Sequence, residues 1–144
     1  MTEPVRVVRS YQERMAGYRR VLEARSPHTT LDRLRELAGD PIRPVRLWTA
    51  RNPRTPPDAL DRLMDDEDSS VEYNALLHHD TPGPALQRTA GREEVRFGDR
   101  HLLDRAMIAH HPNTPDDLRR RLLEQGACTC PAWCSGLAPF GPRG

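Results

Sequence analysis

The sequence predicts an all-α fold, a solenoid in which short helix pairs stack on one another. A motif recurs four times along the 144 residues, at spacings of 26, 26 and 33 residues. In each copy a corner that contains helix-breaking residues precedes leucines at helical spacing. Hydrophobic residues make up 36% of the chain and aromatic residues 5%, so any core is aliphatic and thin, which suits an elongated stack better than a sphere.

The first helix of the chain is predicted from its cap and its apolar spacing. Ser10 and Glu13 have the S-x-x-E spacing of a capping box. The residues that follow place an apolar stripe at helical spacing, which we expect the stack to bury: Tyr11, Met15, Tyr18 and either Val21 or Leu22. Ser69 and Glu72 repeat the box and predict the start of the first helix in the third copy.

The four copies share a corner pattern. They align on Ala24, Ala50, Leu76 and Ala109. The position three residues later holds Pro27, Pro53, His79 and Pro112. The position five residues later is threonine in every copy, namely Thr29, Thr55, Thr81 and Thr114. A unit of this size cannot bury its apolar face alone, but units that stack bury one another's apolar faces.

Within the corner each residue type has a predicted structural role. Pro53 ends the preceding helix because the residue before a proline is excluded from the α region. Thr55 is the predicted N-cap of the next helix, Pro56 its first residue and Asp58 its third, where a carboxylate favours the positive end of the helix dipole. Leu60 and Leu63 then point inward, so the proline pattern is structural rather than functional.

These residues resemble the leucine-rich repeat variant family. The stretch VRLWTARNPRTPPDALDRL, from Val45 to Leu63, is similar to the family pattern V-R-x-x-x-A-x-N-P-x-T-P-x-x-x-L-x-x-L almost position by position. The resemblance covers roughly residues 17–125. It implies a right-handed superhelix of alternating α and short 3-10 helices without strands, related to armadillo and HEAT stacks.

The expected organisation is one repeat domain and a tail. The domain covers residues 1–125, with an N-terminal helix, four repeats and a loop insertion near 90–99. Residues 126–144 form a tail that contains all three cysteines. The chain has no apolar run as long as a membrane span and no signal-peptide pattern, so the sequence favours a cytoplasmic, bacterial protein.

The charge of the chain favours a protein partner over a polyanion. The net charge is +1, and all 22 basic residues are arginine. The N-terminal part is nevertheless basic, which keeps open an alternative in which a HEAT-like stack binds nucleic acid. The arginines for that role are Arg6, Arg9, Arg14, Arg19, Arg20 and Arg46.

The cysteine tail predicts a metal site as a second alternative. Cys128, Cys130 and Cys134 have the spacing C-x-C-x₃-C, which can wrap soft thiolates around one ion such as zinc. Redox-active or free thiols and an inert C-terminal cap are the other interpretations of these three residues. His111, or its neighbour His110, is the candidate fourth ligand. The resemblance also implies an iron–sulfur alternative, because the family is associated with a 4Fe–4S cluster. That cluster is bound in a separate segment with a different cysteine spacing, so none of its ligands transfers to this chain.

No motif predicts an enzyme. The chain has no recognisable nucleophile motif and no glycine-rich phosphate loop. His78, His79 and the pair at 110–111 fall at helix ends, where we interpret them as structural substitutes for the Asn of the corner. The acidic run 65–68 lacks the ligand alternation of a calcium loop and is interpreted as a solvated turn.

The predicted function is therefore a non-enzymatic scaffold that binds another protein. Trp48 is either a core residue or an aromatic anchor on the concave face, near Tyr73 of the next repeat. The candidate interaction surface consists of Trp48, Arg46, Tyr73, Arg19 and Arg20.

Overall fold

The computed structural model describes residues 10–92 and 99–128, and for residues 99–104 it describes the backbone alone. Every regular element in these ranges is a helix, and none is a strand, so the all-α prediction is confirmed. The elements are α1 (Tyr11–Arg25), α2 (Leu31–Leu37), α3 (Arg43–Arg51), α4 (Pro57–Leu63), α5 (Ser69–Leu76), α6 (Gly83–Gly91), α7 (Asp99–His110) and α8 (Asp116–Glu124).

The helices form two layers. Among the odd-numbered helices α1 packs on α3, α3 on α5 and α5 on α7, while in the other layer α2 packs on α4. This order is the one expected for stacked helix pairs, and the right-handed sense of the stack stays a prediction. The even-numbered helices are α-helices of seven to nine residues, so the 3-10 helices that the resemblance implies are not their form.

The core lies between the two layers and is aliphatic, as the composition predicts. Leu34, Leu37, Leu60 and Leu63, on the second helices of the first two repeats, are fully buried as predicted. The main cluster continues through the later repeats with Val71, Leu76, Leu86 and Ile108.

The threonine of each corner has a different role from the one that the sequence predicts. Thr55 is not the N-cap of α4; that position is Pro56, and α4 begins at Pro57. The Thr55 hydroxyl instead donates to the carbonyl oxygen of Thr49 at 2.5 Å, six residues back. The other three copies make the same bond, from Thr29 to Glu23, from Thr81 to Ala75 and from Thr114 to Ile108. The recurring threonine therefore ties each corner to the helix before it. Its hydroxyl is a second donor to a carbonyl oxygen that also accepts the backbone N–H three residues later.

Two helix starts test the capping predictions. The box of Ser10 and Glu13 is present at α1, with both reciprocal bonds. At α5 the predicted box is wrong, because Asp68 is the N-cap and accepts from the backbone of Ser70 and Val71. A carboxylate one residue earlier satisfies the same free N–H groups, which displaces the serine.

The apolar stripe of α1 does not face the core. Tyr11, Tyr18 and Leu22 are 69%, 57% and 46% exposed, whereas Gly17 and Ala24 are the buried residues of this helix. Of the two alternatives left open by the sequence, Val21 packs inward and Leu22 points outward. We call Tyr11, Tyr18 and Leu22 the α1 stripe.

The insertion before the last repeat is described at its two ends. Helix α6 runs to Gly91, and α7 has 12 residues, more than α3 or α5. Residues 93–98 lie outside the described part, and the division at residue 125 stays a prediction. None of the helices in the described ranges has the length and apolarity needed to cross a membrane.

Candidate interaction surface

Four equivalent corner residues link the repeats to one another. Ser26, Asn52, His78 and His111 each accept, through a side-chain atom, the backbone N–H of the residue two positions later. We call these four residues the corner ladder. The imidazoles of His78 and His111 accept the same bond as the Asn52 side chain, which agrees with their interpretation as structural substitutes.

The corner ladder also reaches back to the preceding repeat. Asn52 donates to the carbonyl oxygens of Ala24 and Ser26 at 2.7 and 3.0 Å. His78 Nε2 donates to the carbonyl of Asn52 at 2.9 Å, and His111 Nε2 donates to that of His78 at 2.8 Å. Each step therefore satisfies a buried backbone carbonyl of one corner with the side chain of the next.

His111 is held neutral by its surroundings. It is fully buried, and burial lowers its pKa to about 4, against a smaller opposite effect of its bond to His78. Nδ1 accepts from Asn113 and Nε2 donates to His78, which is the pattern of one neutral tautomer. Both ring nitrogens of this predicted metal ligand are thus used within the fold.

The opposite edge of the stack is held by ion pairs at repeat-equivalent positions. Arg20 pairs with Asp40 at 2.6 Å, and Arg46 pairs with Asp66 at 2.8 Å. Arg46 also donates to the backbone carbonyl of Asp40 in the preceding repeat. Two arginines of the predicted interaction surface therefore hold the turns between repeats.

The acidic run 65–68 lies in a turn between two repeats, with Asp65 and Glu67 exposed, and it also carries ion pairs that the sequence does not show. Asp65 pairs with Arg88 and Arg92, and Asp68 pairs with Arg43. With Asp66 bound to Arg46, three of the four acids are neutralised by arginines from other elements. The local sequence shows only the acids, because their partners are about 20 residues away along the chain.

Trp48 lies between two guanidinium groups. The Arg25 group is 4.4 Å from the centre of the indole, and the Arg51 group is 4.7 Å from it. The indole also packs on the cluster of Ala24, Leu37 and Val45, so Trp48 is partly core and partly surface. Sequence reasoning missed both arginines, although Arg25 and Arg51 are one repeat apart and Arg51 is three residues after the tryptophan.

The predicted surface residues each have their own contacts in the structure. Tyr73 is half-buried against the main core, Arg19 is exposed on α1, and Arg20 and Arg46 are in their ion pairs. The stack of Arg25, Trp48 and Arg51 is the arrangement that the structure brings together instead. It continues the α1 stripe, since Leu22 and Arg25 are one turn apart on the same helix.

A pocket of about 380 Å³ opens beside this stack, between the ends of α3 and α5. Ala50, Arg51 and Pro53 form one wall, and Asn74, Leu77 and the corner 78–80 form the other. We call it the Asn74 pocket. Its volume is within the range of about 300–1,000 Å³ that is usual for ligand sites.

The cysteine tail is described only at its start. The Cys128 sulfur is 2.9 Å from His110 Nε2, so His110 rather than His111 adjoins the first thiol. Cys130 and Cys134 lie outside the described residues. Among the side chains that the structure describes, those of residues 10–92 and 105–128, no group of three or more His, Cys, Asp or Glu could hold a metal ion.

Comparison with known proteins identifies the repeat. No curated protein and no solved structure matches the chain. Residues 43–68 match the family model described as leucine rich repeat variant. The matched segment contains α3, the second corner, α4 and the turn before α5, which is one complete unit of the stack. The chain therefore carries a leucine rich repeat variant repeat at residues 43–68.

Proposed function

We propose that this protein is a non-enzymatic repeat scaffold that binds another protein through the exposed side of α1, α3 and α5. The observation that carries the proposal is the α1 stripe, whose three large apolar side chains are 46–69% exposed. Tyrosine and other large apolar side chains in a contiguous exposed patch are typical of protein interfaces. The Arg25–Trp48–Arg51 stack extends this patch with the residue types that dominate binding energy.

The polar groups that could suggest chemistry have structural partners. His78 and His111 bond the corners, and Arg46 with Asp66 holds a turn between repeats. Structural partners of this kind also weaken the alternative of a nucleic-acid-binding surface. Arg20 and Arg46 face carboxylates at 2.6 and 2.8 Å, Arg14 and Arg19 are exposed, and Arg6 and Arg9 lie outside the described residues.

The test compares two exposed faces of the same protein. The full chain captures its partner from an extract of the source cells, and binding of the purified partner is then measured. The double variant Tyr18→Arg/Leu22→Arg should weaken binding at least ~10-fold, because it places two charges in an apolar interface. Leu31→Arg and Leu123→Arg change residues of similar exposure on α2 and α8, and they should leave the affinity unchanged. Equal effects of both sets would contradict the proposal.

A second candidate function is metal binding by the tail, and the contact between His110 and Cys128 favours it. One imidazole and the three thiols of C-x-C-x₃-C form a donor set that suits tetrahedral zinc. This chain has three cysteines, fewer than the four thiolates of a typical 4Fe–4S site, so the donor set does not fit the cluster associated with the family.

Metal content decides this second candidate. Protein purified without oxygen and without chelators should contain about one zinc per chain. Cys128→Ser and His110→Ala should each lower that content, whereas His111→Asn should not, because His111 is engaged in the corner ladder. Metal-free wild-type protein would exclude the site.

A further inference from the structure

The Asn74 pocket lies where the preceding repeat has an indole. Trp48 and Asn74 are 26 residues apart and so occupy equivalent positions of successive repeats. Trp48 packs on Ala24 and under Arg25, and the equivalent residues Ala50 and Arg51 line the Asn74 pocket. The smaller Asn74 side chain leaves open the space that a tryptophan fills one repeat earlier.

Arg51 joins the two positions. Its guanidinium group is 4.7 Å from the centre of the Trp48 ring, and its side chain also forms a wall of the Asn74 pocket. The order along the stack is therefore Arg25, Trp48, Arg51 and then the pocket. Leu77, which is equivalent to Arg51, forms the far wall.

We propose that the Asn74 pocket binds an aromatic side chain, preferably tryptophan, that a partner protein inserts beside Arg51. The proposal rests on the scaffold function above and specifies the chemistry of its partner. A guanidinium group attracts the electron-rich face of an aromatic ring, and tryptophan provides the largest such face. The bound ring would continue the alternation of arginine and indole by one repeat.

The lining of the pocket fits an amphipathic ring. Ala50, Leu77 and Pro53 offer apolar surface, while Asn74 and Asp80 place an amide and a carboxylate at the same pocket. These oxygens can accept from an indole N–H, which aligns a tryptophan more strongly than a phenylalanine. The lining carries one guanidinium group, of Arg51, and one carboxylate, of Asp80, so a neutral aromatic side chain matches it better than a charged one.

The experiment titrates N-acetyl-L-tryptophanamide into the ¹⁵N-labelled full chain and follows backbone, Asn and Arg Nε resonances by NMR. The expected result is saturable binding in the millimolar range, as for other fragment-sized ligands, with shifts centred on Arg51, Asn74 and Leu77. N-acetyl-L-alaninamide should produce none of these shifts. Asn74→Trp should fill the pocket from within the chain and weaken binding at least ~10-fold. Asn74→Ala leaves the pocket open but removes one acceptor for the indole N–H, so it should weaken binding by no more than ~3-fold.

A second variant makes the test independent of the folding of Asn74→Trp. Arg51→Gln removes the guanidinium group from the pocket and should weaken binding at least ~3-fold. Absence of saturable binding would overturn the proposal, and so would equal affinity in wild type, Asn74→Trp and Arg51→Gln.

Other occupants have their own outcomes. Trp133 is the second of the two tryptophans in the sequence. If the probe binds only after Trp133→Ala, the pocket takes a tryptophan of this chain or of a second copy, and the proposal of a partner's side chain is wrong. Sedimentation of wild type and Trp133→Ala then separates the two sources. If the purified partner binds Asn74→Trp as tightly as wild type, the pocket proposal fails while the scaffold function stands.

Discussion

His111 donates from Nε2 to the carbonyl oxygen of His78 at 2.8 Å and so joins the last corner of the stack to the one before it. Asn52 makes the equivalent bond to Ser26 two repeats earlier. An imidazole and an amide thus serve the same purpose, because each has a donor and an acceptor at suitable separation.

The His111 imidazole should make stability depend on pH. Its pKa is lowered from 6.5 to about 4 in the folded protein, so the unfolded chain binds the proton more readily than the folded one. The contribution of the neutral ring is fully present above pH 6.5 and is lost as the pH falls toward 4, by up to about 3 kcal/mol. Urea midpoints measured between pH 7 and pH 4 check this. His111→Asn should keep the bond and flatten the profile in that window; an unchanged profile would contradict the assignment.

Asn52→Ala should destabilise the stack by about 2–4 kcal/mol. The change removes three hydrogen bonds and leaves the buried carbonyl of Ala24 without its side-chain donor. Equilibrium unfolding in urea measures the loss. Asn74→Ala is the matched control, because Asn74 makes a local bond to Ser70 within its own helix and should cost less than about 1 kcal/mol. Similar losses in the two variants would count against the corner ladder.

Arg46→Met should destabilise by about 2–4 kcal/mol, because it leaves the Asp66 carboxylate without its partner. The side chains of this pair are only 13% and 8% exposed, so water compensates poorly. Arg35→Met is the control: its partners Asp32 and Asp58 are well exposed, and the unfolding midpoint should barely change. If burial is the cause, high salt should change neither variant's midpoint difference from wild type strongly. An Arg46→Met midpoint equal to that of the wild type would contradict the prediction.

Gly83→Ala should destabilise by about 1–3 kcal/mol. A β-carbon at this position would lie 2.8 Å from the carbonyl oxygen of Asn113, and backbone atoms cannot move aside cheaply. At Gly91, the last residue of the same helix, a β-carbon would meet none of the described residues within 4 Å. Gly91→Ala should therefore be neutral or slightly stabilising. Thermal unfolding of the two variants side by side gives the comparison, and the reverse order would contradict the packing described here.

The corner shows how far local patterns predict the structure. Pro53 ends α3 as predicted, because the steric effect of a proline acts on the adjacent residue. The role of Thr55 was predicted incorrectly, since a threonine before a proline can accept as a cap or donate backwards, and local sequence does not separate the two. Thr29, which is followed by Thr30 and not by a proline, makes the same backward bond, so the position in the corner decides the role of the threonine.

The stack around Trp48 is visible in the sequence only as the tryptophan itself. Its neighbours Arg25 and Arg51 are not predicted, because a contact across repeats depends on how α1 and α3 pack. The sequence predicts Arg20 and Arg46 as surface arginines, because their carboxylate partners are 20 residues further along the chain. Pairs at that separation are not visible in a helical or β-strand period.

The sequence by itself determined the helical class, the start of α1 at its capping box and the end of α3 before Pro53. These depend on backbone sterics and hydrogen bonds between residues close together in the chain. The tertiary structure decided which apolar side chains are buried and which polar ones are bonded. Tyr18 and Val21 belong to the same predicted stripe, but only Val21 meets a neighbouring repeat. Burial is a property of the partner surface as well as of the residue, and that surface exists only once the repeats are stacked.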